Sequence, residues 1–532
     1  MNYAGITFGP VLELLSATYT PAGLWFSSYF FSRFVRSFAM MLQEKGYEII
    51  TLQKGYLIKD HLKDRGVGKY HDRIYLRGNR TPKEIRQDII ETKNIVIDEN
   101  TAVLMDGFKK ADKPVFEDDI SIFLHDFLQI HYVVFSEKDF TGKGLAKMMA
   151  DTLDALELSQ RISSEPHPNI LFQFAEGNPY KGSNDYLRHY APLVEASWEE
   201  AFRIASRGES IRIRDIGFIS SNGKFTSKDI ESKTAKPEKT EKYFAIVQCD
   251  GDNMGKLISG ETGADNLDEQ VSRIQDFSSK CMTYTERAYD LVSNSGGFLI
   301  YAGGDDLLFL SPIISGNTNI WKLCREIAVE FNRIFNPNGT SEASLSLGIS
   351  INYYKFPLYE AFQDALGLLF GEAKKFTRGK GNAKNNGAIR IHKASGQSMG
   401  LVLCMDTNGS SDQIEIKADT LFQQFLTLID LFKSNDTKKT NELITSVLFH
   451  IEHQKSLFNE AMKNGLDIHQ LLANIFDGPV HGEAEKLIDI IEIIVTASWK
   501  AFHEQKLKSL GGDSPIDAVT SMLRMAKFLV EE

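Results

Sequence analysis

Two hydrophobic periods run along this chain and alternate in blocks. Short apolar or alternating runs at residues 3–8, 47–52, 73–76, 94–97 and 129–135 predict strands, and apolar positions at helical spacing predict a long helix over 25–44. Interleaved in that order, these elements are compatible with a ferredoxin-like βαββαβ unit over residues 1–139. Residues 140–225 read as mostly helical, at 143–161 and 185–205, with Pro166 and Pro168 marking a loop at 165–169. Residues 226–241 are rich in Lys and Glu and nearly free of apolar side chains, which predicts an exposed linker. The interleaved order then returns over 242–400: a helix at 267–293, paired strands at 298–310, a helix at 319–335, a strand at 343–352 and a helix at 357–376. After Gly400 the period is helical, at 420–433, 440–463, 483–503 and 516–530, and Leu421, Phe422, Phe425, Leu428, Ile429 and Phe432 keep one apolar stripe. The pattern predicts an α/β (α+β) protein: two strand-and-helix units, a helical insert between them, and a C-terminal helical bundle over 401–532.

Within the paired strands, two apolar runs flank Gly303-Gly304-Asp305-Asp306, the pattern of a tight β-hairpin. A turn alone would be served by Asn-Gly or Asp-Gly. Two adjacent carboxylates between buried strands repel one another and are costly to desolvate. A bound cation removes that penalty, and Mg2+ prefers carboxylate oxygens supplemented by water and phosphate. Upstream, the apolar run from Tyr243 ends at Asp250 and passes through Gly251, Asp252, Asn253, Met254 and Gly255 into a predicted helix. Strand, glycine loop and helix start form a phosphate-binding arrangement, because backbone N–H groups and the helix dipole point there. If that strand pairs beside the hairpin, Asp250, Asp305 and Asp306 converge and could hold one or two divalent ions for in-line attack on a nucleotide α-phosphorus. Asp252 also fits a simpler role as a helix N-cap. Lys374, Lys375, Arg378 and Lys380 follow the helix at 357–376, where cations also simply suit a helix C-terminus.

Composition narrows the field. The 532 residues leave room for three or four domains, and 42% apolar content is ordinary for a globular protein. A formal net charge of −11 argues against an autonomous nucleic-acid binder while allowing local contacts to RNA. Cys249, Cys281, Cys324 and Cys404 are far apart and form no CxxC pair, so neither zinc nor a disulfide framework is expected. No signal peptide or membrane-spanning run is evident, and the chain reads as cytoplasmic with no membrane partner.

Taken together, Gly303-Gly304-Asp305-Asp306 in a hairpin, the strand end Asp250-Gly251-Asp252-Asn253-Met254-Gly255, and the helix end Ala373-Lys374-Lys375 resemble the palm of nucleotide cyclases and GGDEF enzymes. They more closely resemble the large polymerase subunit of type III CRISPR effector complexes. Phe8-Gly9-Pro10-Val11, followed by Gly23-Leu24-Trp25-Phe26-Ser27-Ser28-Tyr29 and Ser32, resembles the first palm-like domain of the Cmr-type version. The resemblance implies a degenerate palm at 1–139 packed against an active palm at 242–400. It implies Mg2+ or Mn2+ at Asp250, Asp305 and Asp306, ATP as substrate, Lys374 on the triphosphate, and Ser27 and Ser28 facing the nucleotide pocket. The partners implied are the other subunits of an RNA-guided complex and, through them, guide RNA and target RNA. The product implied is a 3′–5′ cyclic oligoadenylate. Relatives often carry a cysteine-rich zinc site between the palms, which this sequence lacks. In the family an HD nuclease domain precedes the Gly-Pro-Val segment that here stands near residue 1, so DNA cleavage is not expected. His125-Asp126 invites an HD reading, but the further candidates His61, His71 and Asp151 fall in a mixed α/β context. Three alternatives stay open: the same chemistry with S-adenosylmethionine as acceptor of AMP, a stand-alone nucleotide cyclase, and a structural subunit with a vestigial centre.

Overall fold

The computed structural model describes residues 1–18, 20–52, 67–110, 116–140, 144–158, 169–171, 215–232, 235–259, 266–338, 343–376, 384–405, 425–426, 429, 437–474 and 485–530. The helix expected at 185–205, most of that expected at 420–433, and Arg378 and Lys380 lie outside these residues.

The first unit runs β1 (Asn2–Gly9), α1 (Val11–Ala17), α2 (Pro21–Glu44), β2 (Glu48–Ile49), β3 (Arg73–Gly78), α3 (Pro82–Lys110), α4 (Glu117–Phe127), β4 (Gln129–Ser136) and α5 (Leu145–Glu157). Its antiparallel sheet has the order β2-β3-β1-β4, the arrangement of a ferredoxin-like βαββαβ unit. Thr20 starts α2 by accepting from the Gly23 N–H, and Pro21 occupies the first turn, where no intrahelical donor is missed. Trp25, Phe26, Phe30, Phe34 and Phe38 of α2 then pack with Ala4, Ile6 and Phe8 of β1 in one core.

The strand expected at residues 94–97 is instead the interior of α3. Asn94-Ile95-Val96-Ile97 looks β-like in isolation. Over the longer window, buried Ile85, Ile89, Val96, Ile97, Leu104 and Phe108 recur at helical intervals, and Thr81 and Glu84 cap the start reciprocally. Packing along 29 residues overrides the preference of four.

Residues 226–241 also depart from the exposed linker expected there. They follow α6 (Ile216–Ser220), and Thr226 and Asp229 form a capping box on α7 (Ser227–Glu231), with Ile230 and Thr240 buried. The polar residues that suggested a linker supply the cap, so a short helix forms with little apolar signal.

The second unit comprises β5 (Tyr243–Asp252), α8 (Met254–Ser259), α9 (Leu267–Asn294), β6 (Phe298–Gly303), β7 (Asp306–Pro312), a small hairpin of β8 (Ile314–Ser315) and β9 (Thr318–Asn319), α10 (Ile320–Phe335), β10 (Ser344–Tyr353) and α11 (Leu358–Leu366). Its central order, β10-β5-β7-β6, repeats that of the first unit. After a π-helical turn at Gly367–Ala373, β11 (Asn386–His392) joins parallel to β10, and β12 (Ser398–Cys404) pairs with β11. The chain continues through α12 (Thr437–His453), α13 (Lys455–Lys463), α14 (Ile468–Ala473) and α15 (Glu485–His503) to β13 (Leu507–Ser509) and α16 (Pro515–Val530). The region after residue 400 is therefore not purely helical, because β12 extends to Cys404 and β13 completes a seven-stranded sheet with it. Three residues of strand between long helices give too short a run for periodicity to register.

The two faces of the large sheet do different work. Tyr243, Ala245, Val247 and Cys249 of β5 point to α9, α10 and the C-terminal helices, packing with Tyr284, Phe331 and Met522. Phe244 and Ile246, with Ile300, Leu308 and Leu310, join the core of the first unit, and α2 lies against β6. Gly68, ahead of β3, bridges to Tyr301, its carbonyl accepting from the Ala302 N–H at 2.9 Å. The two units thus share a core across the β5–β7–β6 face. All four cysteines are buried and free. Among the described residues no helix is long and apolar enough to cross a membrane.

Candidate active site

Strand register brings the acidic residues together. The β5–β7 ladder ends with Cys249 opposite Leu307, so the next residues, Asp250 and Asp306, stand side by side. In the hairpin Gly303 pairs with Asp306, leaving Gly304 and Asp305 as a two-residue loop. Gly304 has φ +71°, the glycine position of a type II′ turn. Asp250, Asp305 and Asp306 each offer a carboxylate oxygen, and these atoms all lie within 4.8 Å of one another. Side-chain alternation sets Asp250 and Asp306 on the face that looks toward the first unit, in line with Ile246 and Leu308.

Protein crowds this cluster, and the acids respond. Burial, then the Asp250 charge, pushes the Asp305 carboxyl up to about 6. Burial, then Asp305 and Asp250, pushes Asp306 well above the usual carboxylate range. Lys374, the first residue after the π-helical turn, supplies a counter-charge: its ammonium pairs with Asp250 and donates to the Gly251 carbonyl at 3.0 Å. One lysine against three acids leaves net negative charge. An oxygen-only donor set under mutual repulsion fits a hard divalent cation such as Mg2+ or Mn2+.

The remaining expected site residues separate into several environments. Asn253, at φ +61°, turns the chain from β5 into α8, and Met254 is buried beneath the loop. Asp252 is not an N-cap or an exposed ligand. Its side chain is buried, with one oxygen accepting from Ser344 at 2.9 Å, Ser346 at 2.7 Å and the Asn385 N–H at 3.2 Å. Ser27 is fully buried, and its hydroxyl donates to the Gly23 carbonyl at 2.8 Å, so it offers no exposed group to a nucleotide. Ser28 is also buried, packed against Gly68. Lys375 follows Lys374, and Lys384 precedes β11. Among the described residues two groups could hold a metal ion, the acidic trio and His469 with Asp489 and Glu492; neither includes His125 or Asp126.

Gly251 and Gly255 give a local test. A Cβ on Gly251 would stand 2.4 Å from an Asp305 oxygen and 2.5 Å from Met254 Cγ, whereas one on Gly255 meets nothing within 4 Å. Gly251→Ala is expected to displace the acidic turn and abolish ion-dependent stabilisation in thermal melts, and Gly255→Ala to leave both melting and ion response near wild type. Equal behaviour of the two variants would show that the loop is not held against Asp305.

Residues 243–383 match the family described as Cas10/Cmr2, second palm domain. The chain is 32% identical over 173 residues to CRISPR system Cmr subunit Cmr2 of Pyrococcus furiosus, a match covering 29% of this chain and 19% of that relative. The match thus spans under a fifth of the relative's length. Among solved structures, the chain is similar to one of type III-B Cmr-beta in the apo state, with TM-score 0.56 at 11% identity, covering 100% of this chain and 82% of the other. It is also similar to one of type III-B Cmr-beta bound to cognate target RNA, with TM-score 0.52 at 12% identity, covering 100% and 83%. At such identities the likeness establishes the fold.

Proposed function

Starting from a chain that carries the second palm domain of the Cas10/Cmr2 family, we propose that it is the nucleotidyltransferase subunit of a type III CRISPR complex. It makes a 3′–5′ cyclic oligoadenylate from ATP when target RNA pairs with the guide. The observation that carries this reading is the convergence of Asp250, Asp305 and Asp306 on the sheet face shared with the first unit. A purely structural hairpin has no use for three mutually repelling acids.

Asp250, Asp305 and Asp306 would hold the divalent ion. When bound, that ion lowers the pKa of a ribose hydroxyl and stabilises charge on the α-phosphate. Lys374 balances Asp250 and, with its flexible stem, can turn its ammonium toward a triphosphate as a point charge. The tight turn holds Asp305 in its loop and Asp306 at the start of β7, so the acids are positioned before substrate arrives. The first unit packs on the sheet face that carries Asp250 and Asp306, and a palm-on-palm arrangement would suit two nucleotides facing each other.

The test is to incubate the assembled complex with labelled ATP and Mg2+ or Mn2+, with and without target RNA, and to resolve products by mass. Cyclic oligoadenylate is expected only with target RNA, because an acidic chain binds RNA poorly alone and must be biased toward its competent arrangement by partners. Full activity of the isolated subunit without RNA would overturn that dependence, and a product containing S-adenosylmethionine in a parallel sample would reassign the acceptor.

A further inference from the structure

Strand β6 is irregular just before the acidic turn. Its ladder with β7 pairs Phe298 with Leu310 and Leu299 with Phe309, then skips Ile300 and pairs Tyr301 with Leu308. In an unbroken strand Tyr301 would share the face of Leu299. The bulge reverses that: Leu299 and Ala302 belong to the core on the helix side, whereas Ile300 and Tyr301 both pack with the core shared by the first unit. Bulges beside active sites serve to re-aim a side chain. Here the re-aimed phenol stands on the same face as Asp250 and Asp306.

The glycine two residues on supports a built position. Gly303 does not adopt a positive φ, so the turn does not require glycine there. A Cβ at that position would lie 2.1 Å from the Tyr301 hydroxyl, so the bare glycine leaves room for the phenol where it stands. The hydroxyl has a hydrogen bond to the Gly303 carbonyl of 3.5 Å, at the outer limit for such a bond. A tyrosine hydroxyl packed against protein ordinarily has a better partner. Burial, then Asp72 from the first unit and Asp306 and Asp305 from the hairpin, hold the phenol protonated, so it is a neutral donor among acids of both units.

We propose that the Tyr301 hydroxyl is a substrate-contacting group, donating a hydrogen bond to an oxygen of the nucleoside triphosphate bound at Asp250, Asp305 and Asp306. This rests on the nucleotidyl-transfer reading and adds to it a specific donor on the palm's own strand. The bulge sets the direction of the donor, and Gly303 admits it.

The test compares wild type, Tyr301→Phe and Tyr301→Ala in the assembled complex with target RNA. Two quantities are measured: the Kd of α,β-methylene-ATP with Mg2+, and the rate of product formation from ATP. Tyr301→Phe keeps the ring and its packing, so its melting temperature should match wild type. Loss of one hydrogen bond is expected to weaken analogue binding about tenfold, with a matching fall in kcat/KM. Unchanged Kd and unchanged rate in Tyr301→Phe, with losses only in Tyr301→Ala, would overturn the proposal and leave the ring a packing element. If wild type binds the analogue but makes no product, the transfer reading fails, and the Kd comparison still decides the role of Tyr301. Failure of wild type to bind the analogue overturns both.

Discussion

Replacing Asp305 and Asp306 together with alanine is expected to reduce nucleotide product by about 1000-fold while leaving the fold intact, because in the proposed reaction the pair would hold the divalent ion. The pair sits at a turn and not in the core, so complex assembly should survive. The stability of the ion-free protein should change in the opposite direction from activity. Asp305 ionises near 3.8 when unfolded and near 6 when folded, and Asp306 shifts the same way. Between those values the folded state retains a proton that the unfolded chain has lost, so stability falls as pH rises through that window. Above it the full penalty of the buried, repelling charges is present, and a divalent ion relieves it. The contribution of these two acids to ion-free stability should therefore decline from acid toward neutral pH, opposed over the same window by His71, which burial lowers to about 4, and the gain on adding Mg2+ should grow over that range. In D305A/D306A the ion response should be lost and the pH slope should shift toward rising stability, because the His71 contribution remains, and the variant should melt no lower than ion-free wild type at neutral pH. Normal product from the double variant, or an unchanged ion response, would place the centre elsewhere.

What could be read in advance was local. The hairpin is written in adjacent residues: apolar runs, two glycines and two acids, with Gly304 at the positive φ such a turn needs. Asp250 was readable because the apolar run from Tyr243 leads straight into it, and β5–β7 pairing then places it beside Asp306. Features that depend on neighbours were not readable. The β-like 94–97 run became helix because distant residues of α3 share its buried face. The contribution of β13 to the palm sheet depends on a return of the chain more than a hundred residues after β12. The bulge at Ile300 leaves no mark in a pattern of apolar residues, since Leu299, Ile300 and Tyr301 suit either face. Ser27 matched a motif, yet a buried helical serine commonly bonds its own helix, as this one does.

Asp252 shows most clearly how spacing alone misleads, and it yields the largest expected loss of stability. It lies two residues beyond Asp250 on the same strand face, so alternation alone would make both ligands. The difference is in what each meets: one oxygen of Asp252 gathers the Ser344 and Ser346 hydroxyls of β10 and the Asn385 N–H before β11, and the other lies 3.9 Å from the Lys374 ammonium. It therefore ties β5, β10 and the approach to β11 into one knot behind the acidic trio. Ser346 is fully buried, so Asp252→Ala strands one donor that water cannot reach, whereas Ser344 and Asn385 are half-buried and keep access to solvent. A stranded buried donor costs roughly 1–3 kcal/mol, and the variant should lose about that much, with a smaller addition from the two half-buried donors. Asp252→Asn keeps one acceptor oxygen and should lose less, because the serine hydroxyls can rotate to suit an amide. Denaturant titration of the ion-free protein separates this role from that of Asp305 and Asp306, whose removal is not expected to destabilise it. If D252A unfolds at the wild-type midpoint yet makes no product, Asp252 serves the ion or the nucleotide directly, and the knot is incidental.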